Sequence, residues 1–375
     1  MAKHPIPETQ PLQSGRPLKS CYRAVIALPS CNELESLPET LTSLEQTGLQ
    51  YFNETLVIVN VNQREGMDRQ NNLATLQWLQ DLETPLELAW MDHASPGKAY
   101  PEKFGVGLAR HQSCTSGLRF ITDHSPIISL DADSPVNTDY LAAIFGYLES
   151  RPDFRAGHVN FQHRYCGNQS EKLAIKVYEL HLKLHRERLA GANSPHAWYA
   201  IGSTIVCTKS AYLKAGGYSC RRMAGEDFYL LQQLSKTGSK IEMINNAFVY
   251  PSDRVSDRVP FGTGKAVGEI VQTGRWLTYH EDCYRDLGRL LRVVKEDLGS
   301  NAAEIMELAP ASCRGWLQQR DFETVWPKLQ TNSRDEAMLW QKFHEWLDAF
   351  QTLKLIHCLS DEYYPRVEMP IAQEL

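Results

Sequence analysis

From Ala24 to about Tyr250, short apolar runs alternate with segments whose apolar residues recur every three or four positions. The strand-like runs are AVIAL (24–28), TLVIVNV (55–61), LELAWM (86–91), PIISL (126–130), AGHVNF (156–161), AIGSTIVC (200–207), KIEMI and AFVY. Between them lie helical patterns. Leu34, Leu37, Leu41 and Leu44 share one face, and Ser36-Leu37-Pro38-Glu39 fits a capping box with Pro in the first turn. Further helices are expected over 71–82, 104–121, 140–150, 171–189 and from Gly225 onward. Strand alternating with helix predicts an α/β domain built on a mostly parallel sheet, over 21–250. Residues 1–20 are polar and Pro-rich and read as a disordered or loosely attached arm. Residues 251–285 are rich in Gly, Arg and Pro, and 286–375 form a helical C-terminal region.

Totals exclude several classes. The 375 residues carry a net charge of -6, with no basic footprint of the kind a nonspecific nucleic-acid binder needs. Nine scattered cysteines, an odd number without a CxxC pair, read as reduced thiols in a cytoplasmic protein. The first twenty residues lack the apolar core of a secretory signal. No apolar run approaches the ~18–20 residues that span a bilayer. Peripheral attachment to a membrane face and homo-oligomer formation stay open.

The strand PIISL ends in Asp131-Ala132-Asp133. Residues i and i+2 of a strand face one side, so the two carboxylates converge and need a positive partner. Mg²⁺ or Mn²⁺, typically held by one or two carboxylates plus substrate phosphates, is such a partner. The same residues also suit a plain turn. Ligands of open α/β sheets bind beyond the carboxyl ends of the strands. Pro29–Glu33, Asn60–Asn62 and Asp92–Lys98 occupy such ends too.

Glu226 and Asp227 open the helical segment GEDFYLLQQL. Acids there complement the helix dipole, or Asp227 serves as a general base toward a hydroxyl. In SDRVSDRVPFGTGKAVGEIVQTGRW (252–276), Arg254 and Arg258 stand four apart ahead of several glycines. This suits phosphate binding or a salt-bridged loop. GTGKAVG is not a dinucleotide fingerprint and the Gly-Lys at 97–98 is not a Walker A, since their spacings differ. His181 and His185 have the i, i+4 spacing of a zinc pair without a third ligand. The tryptophans beyond 310 read as core or partner-facing.

In order and spacing, PSCNE after the first strand, GVGLAR, the Asp-Ala-Asp strand end, GSTIVCTKSAYLKAGGY and GEDFYLLQQL resemble the family 2 glycosyltransferases, which have the GT-A fold. The resemblance covers roughly 22–235. It implies that Pro29, Asn32 and Glu33 line a nucleotide pocket, that Asp131 and Asp133 contact ribose, diphosphate and metal, and that Asp227, beside Glu226, is the base of an inverting transfer. Lys98 stands where that family has a basic residue near the diphosphate, or is a solvated surface lysine. Where many members carry an acid after the second strand, this chain has Asn60 and Asn62, whose amides can bond a base or ribose. Gln272, Arg275 and Trp276 match the QxxRW pattern of the processive members, with Thr273 departing from it. His280 is placed to be a third metal ligand, as a late His is in some GT-A enzymes.

The expectation is therefore a metal-dependent, non-processive transferase moving a sugar from a UDP- or GDP-sugar to an acceptor hydroxyl. Arg254, Arg258 and Arg275 would offset diphosphate charge. Its rivals are a retaining transferase on the same fold, a nucleotidyltransferase and a nucleotide-sugar-binding protein without catalysis. The nucleotidyltransferase's Gly-rich signature is absent after the first strand.

Overall fold

The computed structural model describes residues 6–165, 167–220, 224–254 and 262–369. The chain divides into two compact units. The first comprises residues 1–166 and 200–265, the second 167–199 and 266–375. Contacts thus group the chain differently from the linear boundaries at 250 and 285.

In the first unit the strands are β1 (Ala24–Ser30), β2 (Thr55–Asn62), β3 (Glu87–His93), β4 (Pro126–Ser129), β5 (Ala156–Phe161), β6 (Ile205–Thr208) and β7 (Ile241–Val249). Its helices are α1 (Leu37–Glu45), α2 (Leu49–Phe52), α3 (Gln70–Asp81), α4 (Val106–Gly117) and α5 (Tyr140–Ser150). After α6 (Gln169–Gly191), which belongs to the second unit, come α7 (Lys209–Lys214) and α8 (Glu226–Lys236). The seven strands form one sheet in the order β3-β2-β1-β4-β6-β5-β7. It is mostly parallel, and β6 alone runs antiparallel to both its neighbours. Every residue of β1, β2 and β3 is buried, as expected of parallel strands covered on both faces. The chain steps from β1 outward to β3 and then returns to β1's other side with β4. That reversal places the switch point, where such sheets hold ligands, between the ends of β1 and β4.

Helix α4 packs on β1 and β2. Gly117 permits the close approach, because a Cβ there would lie 2.6 Å from Val25 Cγ1. The resulting register sinks Arg110, one turn into α4, beneath the surface.

Several expectations are refined. AIGSTIVC is a strand only from Ile205, and Gly202–Thr204 forms a 3₁₀ turn. KIEMI and AFVY are one strand, β7, whose pairing with β5 shifts register at Val159/Asn160. Ser36 makes no side-chain cap bond, since its backbone is helical rather than extended. Glu39, its would-be partner, pairs with Arg164 instead. The arm expected to be loose is, over its described residues, fastened to the sheet edge. Gln13 exchanges two backbone hydrogen bonds of 2.8 Å with Trp90 of β3, and Arg16 donates to the carbonyls of Pro85 and Leu86. The outward backbone groups of Trp90 at this edge are thereby paired.

In the second unit, α6 is joined by α9 (Thr263–Thr273), which begins at the end of the first unit, and by α10 (Glu281–Glu296), α11 (Ala302–Leu308), α12 (Ala311–Gln319), α13 (Phe322–Thr331), α14 (Glu336–Trp346) and α15 (Ala349–Glu362). A ribbon of β8 (Leu277–Thr278) and β9 (Val367–Glu368) completes it. A capping box of Asn168 and Glu171 starts α6. Trp316 and Trp326 are core residues, with Trp340 and Trp346 packed against the same cluster. The buried Trp326 indole donates to Ser300 O at 2.9 Å. Among the described residues, no helix is long and apolar enough to cross a membrane.

Candidate active site

Five parts of the first unit meet at the switch point. The loop after β1 brings Glu33. The end of β4 brings Asp131 and Asp133, α4 brings Arg110, the start of α8 brings Glu226 and Asp227, and the segment after β7 brings Arg254.

Two of these parts are held by neighbouring helices. Asn32 sits in the left-handed region at φ 55°, where Asn is tolerated. Its N–H donates to Asn72 Oδ1 (2.7 Å) and that of Leu34 to Asn71 Oδ1 (3.2 Å), so α3 holds the loop that presents Glu33. The Asp-Ala-Asp turn is closed by Ser134 N–H to Asp131 O (3.2 Å) and tied to α1 by the Thr40 hydroxyl, which donates to Ala132 O (2.8 Å).

Two arginines separate the paired carboxylates. Arg110, with a side chain only 4% exposed, donates from Nη2 to Asp131 Oδ1 and from Nε to Glu226 Oε1 at 3.0 Å. Arg254 donates from Nη2 to Asp133 Oδ2 at 2.9 Å and also to Glu33 Oε1. β4 ends at Ser129, so Asp131 and Asp133 lie in the turn that follows it rather than on one strand face, and each is answered by a different arginine.

Asp227 receives the N–H of Phe228 on Oδ1 at 2.7 Å. Burial, then the Glu226 carboxylate, push its carboxyl up to about 7. The Phe228 N–H and Arg110 pull the other way, less strongly. A carboxyl poised there can take a proton near neutral pH.

Among the described residues of the cluster, five acids (Glu33, Asp131, Asp133, Glu226, Asp227) face two arginines. Asp131 and Asp133 are partly exposed, 30% and 21%, and their hard oxygens suit Mg²⁺ or Mn²⁺. Among the described residues, no three His, Cys, Asp or Glu side chains are gathered as a protein-only cage. A site completed by substrate phosphates does not require one.

The remaining expected residues have other partners. Asn60 is fully buried and donates to the Tyr100 hydroxyl (3.0 Å) and Ala109 O (3.1 Å), bracing α4 against β2. Pro29 is buried in β1 opposite Asn60. Lys98 Nζ donates to Asp92 Oδ2 at 2.7 Å. Arg258 lies outside the described residues. Arg275, Trp276 and His280 belong to the second unit. There Arg275 makes a two-pronged bond to Glu368 (3.0 and 3.1 Å), and Trp276 packs edge-on against Tyr178 and His181. His280 caps α10, its Nδ1 accepting the Asp282 N–H at 3.2 Å. His181 and His185 each bond a hydroxyl through Nδ1, of Thr278 (3.0 Å) and Tyr284 (2.7 Å).

Arg110 and Gly202 fall inside the motifs GVGLAR and GSTIVCTKSAYLKAGGY, but the sequence assigns no role to them or to Asn72. The available signal for Arg110 was a lone cation among small and apolar residues of the helix preceding the Asp strand.

No protein-family profile matches the sequence, and no curated protein matches it significantly. Among solved structures, S. aureus TarS aligns at 12% identity and a TM-score of 0.42, over 82% of this chain and 53% of that one. This chain thus spans about half the length of that neighbour. The 1–349 portion of TarS in complex with UDP-GlcNAc aligns at 13% identity and TM-score 0.44, over 86% of this chain and 90% of that one. The same portion in complex with UDP gives 11% and 0.41. At these scores the likeness decides nothing about the chemistry.

Proposed function

We propose that this protein is a GT-A-type glycosyltransferase of the inverting kind, transferring a sugar from a nucleoside-diphospho-sugar to an acceptor hydroxyl. One observation carries the reading. At the switch point of the sheet, a single buried arginine joins Asp131, one of the two aspartates that follow β4, to Glu226, the neighbour of the carboxyl poised near neutrality.

In this mechanism Asp227 takes the proton of the acceptor hydroxyl as its oxygen attacks the anomeric carbon. The sugar–diphosphate bond breaks on the opposite face, and the nucleoside diphosphate leaves with the electron pair. Arg254, already among the carboxylates, turns a guanidinium toward the departing charge. Mg²⁺ or Mn²⁺ held by Asp131 and Asp133 would supply the remaining charge compensation. Glu33 and the loop held by Asn72 frame the nucleotide.

The test is release of nucleoside diphosphate from UDP-, GDP- and dTDP-sugars, with and without Mn²⁺. UDP-GlcNAc, the molecule in the TarS complex, belongs in that panel. Metal-dependent release from one donor, lost in Asp133→Ala, supports the reading. No release and no metal-dependent nucleotide binding with any donor refutes it. Activity retained in Asp227→Asn would point to a retaining mechanism.

A further inference from the structure

We propose that Arg110 is a positioning residue that locks the donor end of the site to the helix carrying the base. This rests on the function proposed above. The guanidinium uses two different nitrogens. Nη2 holds Asp131, at the end of β4, and Nε holds Glu226, the residue before Asp227 at the first turn of α8. Asp131 and Glu226 lie far apart in the chain and meet through Arg110.

Three features mark this as a built arrangement. Arg110 is fully buried, where a guanidinium persists only if paired. Gly202 makes room for it, since a Cβ there would fall 2.1 Å from Nη2. And Nη1, also buried, has no partner among the described residues, so that nitrogen is left over after both carboxylates are served. Lysine cannot reproduce the geometry, because an ammonium on a flexible stem has no planar fork to fix two carboxylates at a set angle.

Arg110→Lys keeps the charge and loses the fork. With a donor that turns over, kcat is expected to fall by tenfold or more and the donor KM to rise, in protein whose circular dichroism matches the parent. A folded Arg110→Lys with kcat and KM within twofold of the parent overturns the proposal. A second measurement needs no turnover. Asp131→Asn and Glu226→Gln are made singly and together, in parent and in Arg110→Lys, and their urea midpoints compared. Coupling through Arg110 makes the pair non-additive in the parent and closer to additive in Arg110→Lys. Additive shifts in the parent overturn the proposal. If the parent protein neither turns over any donor nor binds a nucleotide with metal, the transferase reading fails and this cycle still decides the role of Arg110.

Discussion

Arg254 Nη2 lies 2.9 Å from Asp133 Oδ2, across 121 residues of sequence, and the same nitrogen donates to Glu33. A guanidinium there does part of the work of a divalent cation, and it competes with one for Asp133.

Arg254→Gln should therefore act in two directions. Binding of Mn²⁺, followed by calorimetry, should tighten as the competing charge goes. The donor KM should rise by about 10–100-fold, the worth of a charge-assisted hydrogen bond. Weaker Mn²⁺ binding in the variant would show that Arg254 helps build the cation site instead.

Asp227 gives a pH signature. With its carboxyl at about 7, transfer should rise with pH through neutrality, falling about tenfold per unit on the acid side. Stability has its own sign. Between the ordinary value of 3.8 and about 7 the folded chain holds a proton that the unfolded chain has released. Stability from this group therefore falls as pH climbs through that window and levels off above it. Urea midpoints at pH 5 and pH 8 should differ less in Asp227→Asn than in the parent. The same substitution should cut transfer by about 10²–10⁴-fold.

Two glycines should respond oppositely to alanine. Gly202→Ala pushes a methyl into Arg110 and should cost about 1–3 kcal/mol. Gly146 lies inside α5 with open space where its Cβ would be, so Gly146→Ala should stabilise by about 0.5–1 kcal/mol. Urea denaturation of both variants checks the contrast.

Removing residues 2–18 should uncover β3, since Gln13 and Arg16 are among the groups that cover it. Increased self-association by light scattering, with the remaining sheet intact by circular dichroism, is the expected outcome.

The sheet was largely legible because buried strands and amphipathic helices leave different periods in the sequence. Helix α5 falls at 140–150 as its pattern predicts. The Asp pair was legible because two like charges ending an apolar strand need an explanation. Arg110 was not, because a single buried cation inside α4 disturbs no period, and its partners come from β4 and α8. Asn60 misled for a related reason. An amide at a strand end can serve a ligand or the backbone, and only tertiary packing showed it bonded to Ala109 O. The docking of residues 6–20 was hidden because backbone pairing at a sheet edge makes little demand on side chains.

The second unit is assembled from two stretches, 167–199 and 266–375. During synthesis, α6 leaves the ribosome while α10 to α15, which complete its surroundings, are still untranslated. Its apolar side must wait through the making of β6, α7, α8 and β7 before those partners exist. The chain therefore has an interval in its biogenesis when a long helix is exposed to chaperones or to misassociation. Any truncation that stops near residue 265 would make that interval permanent.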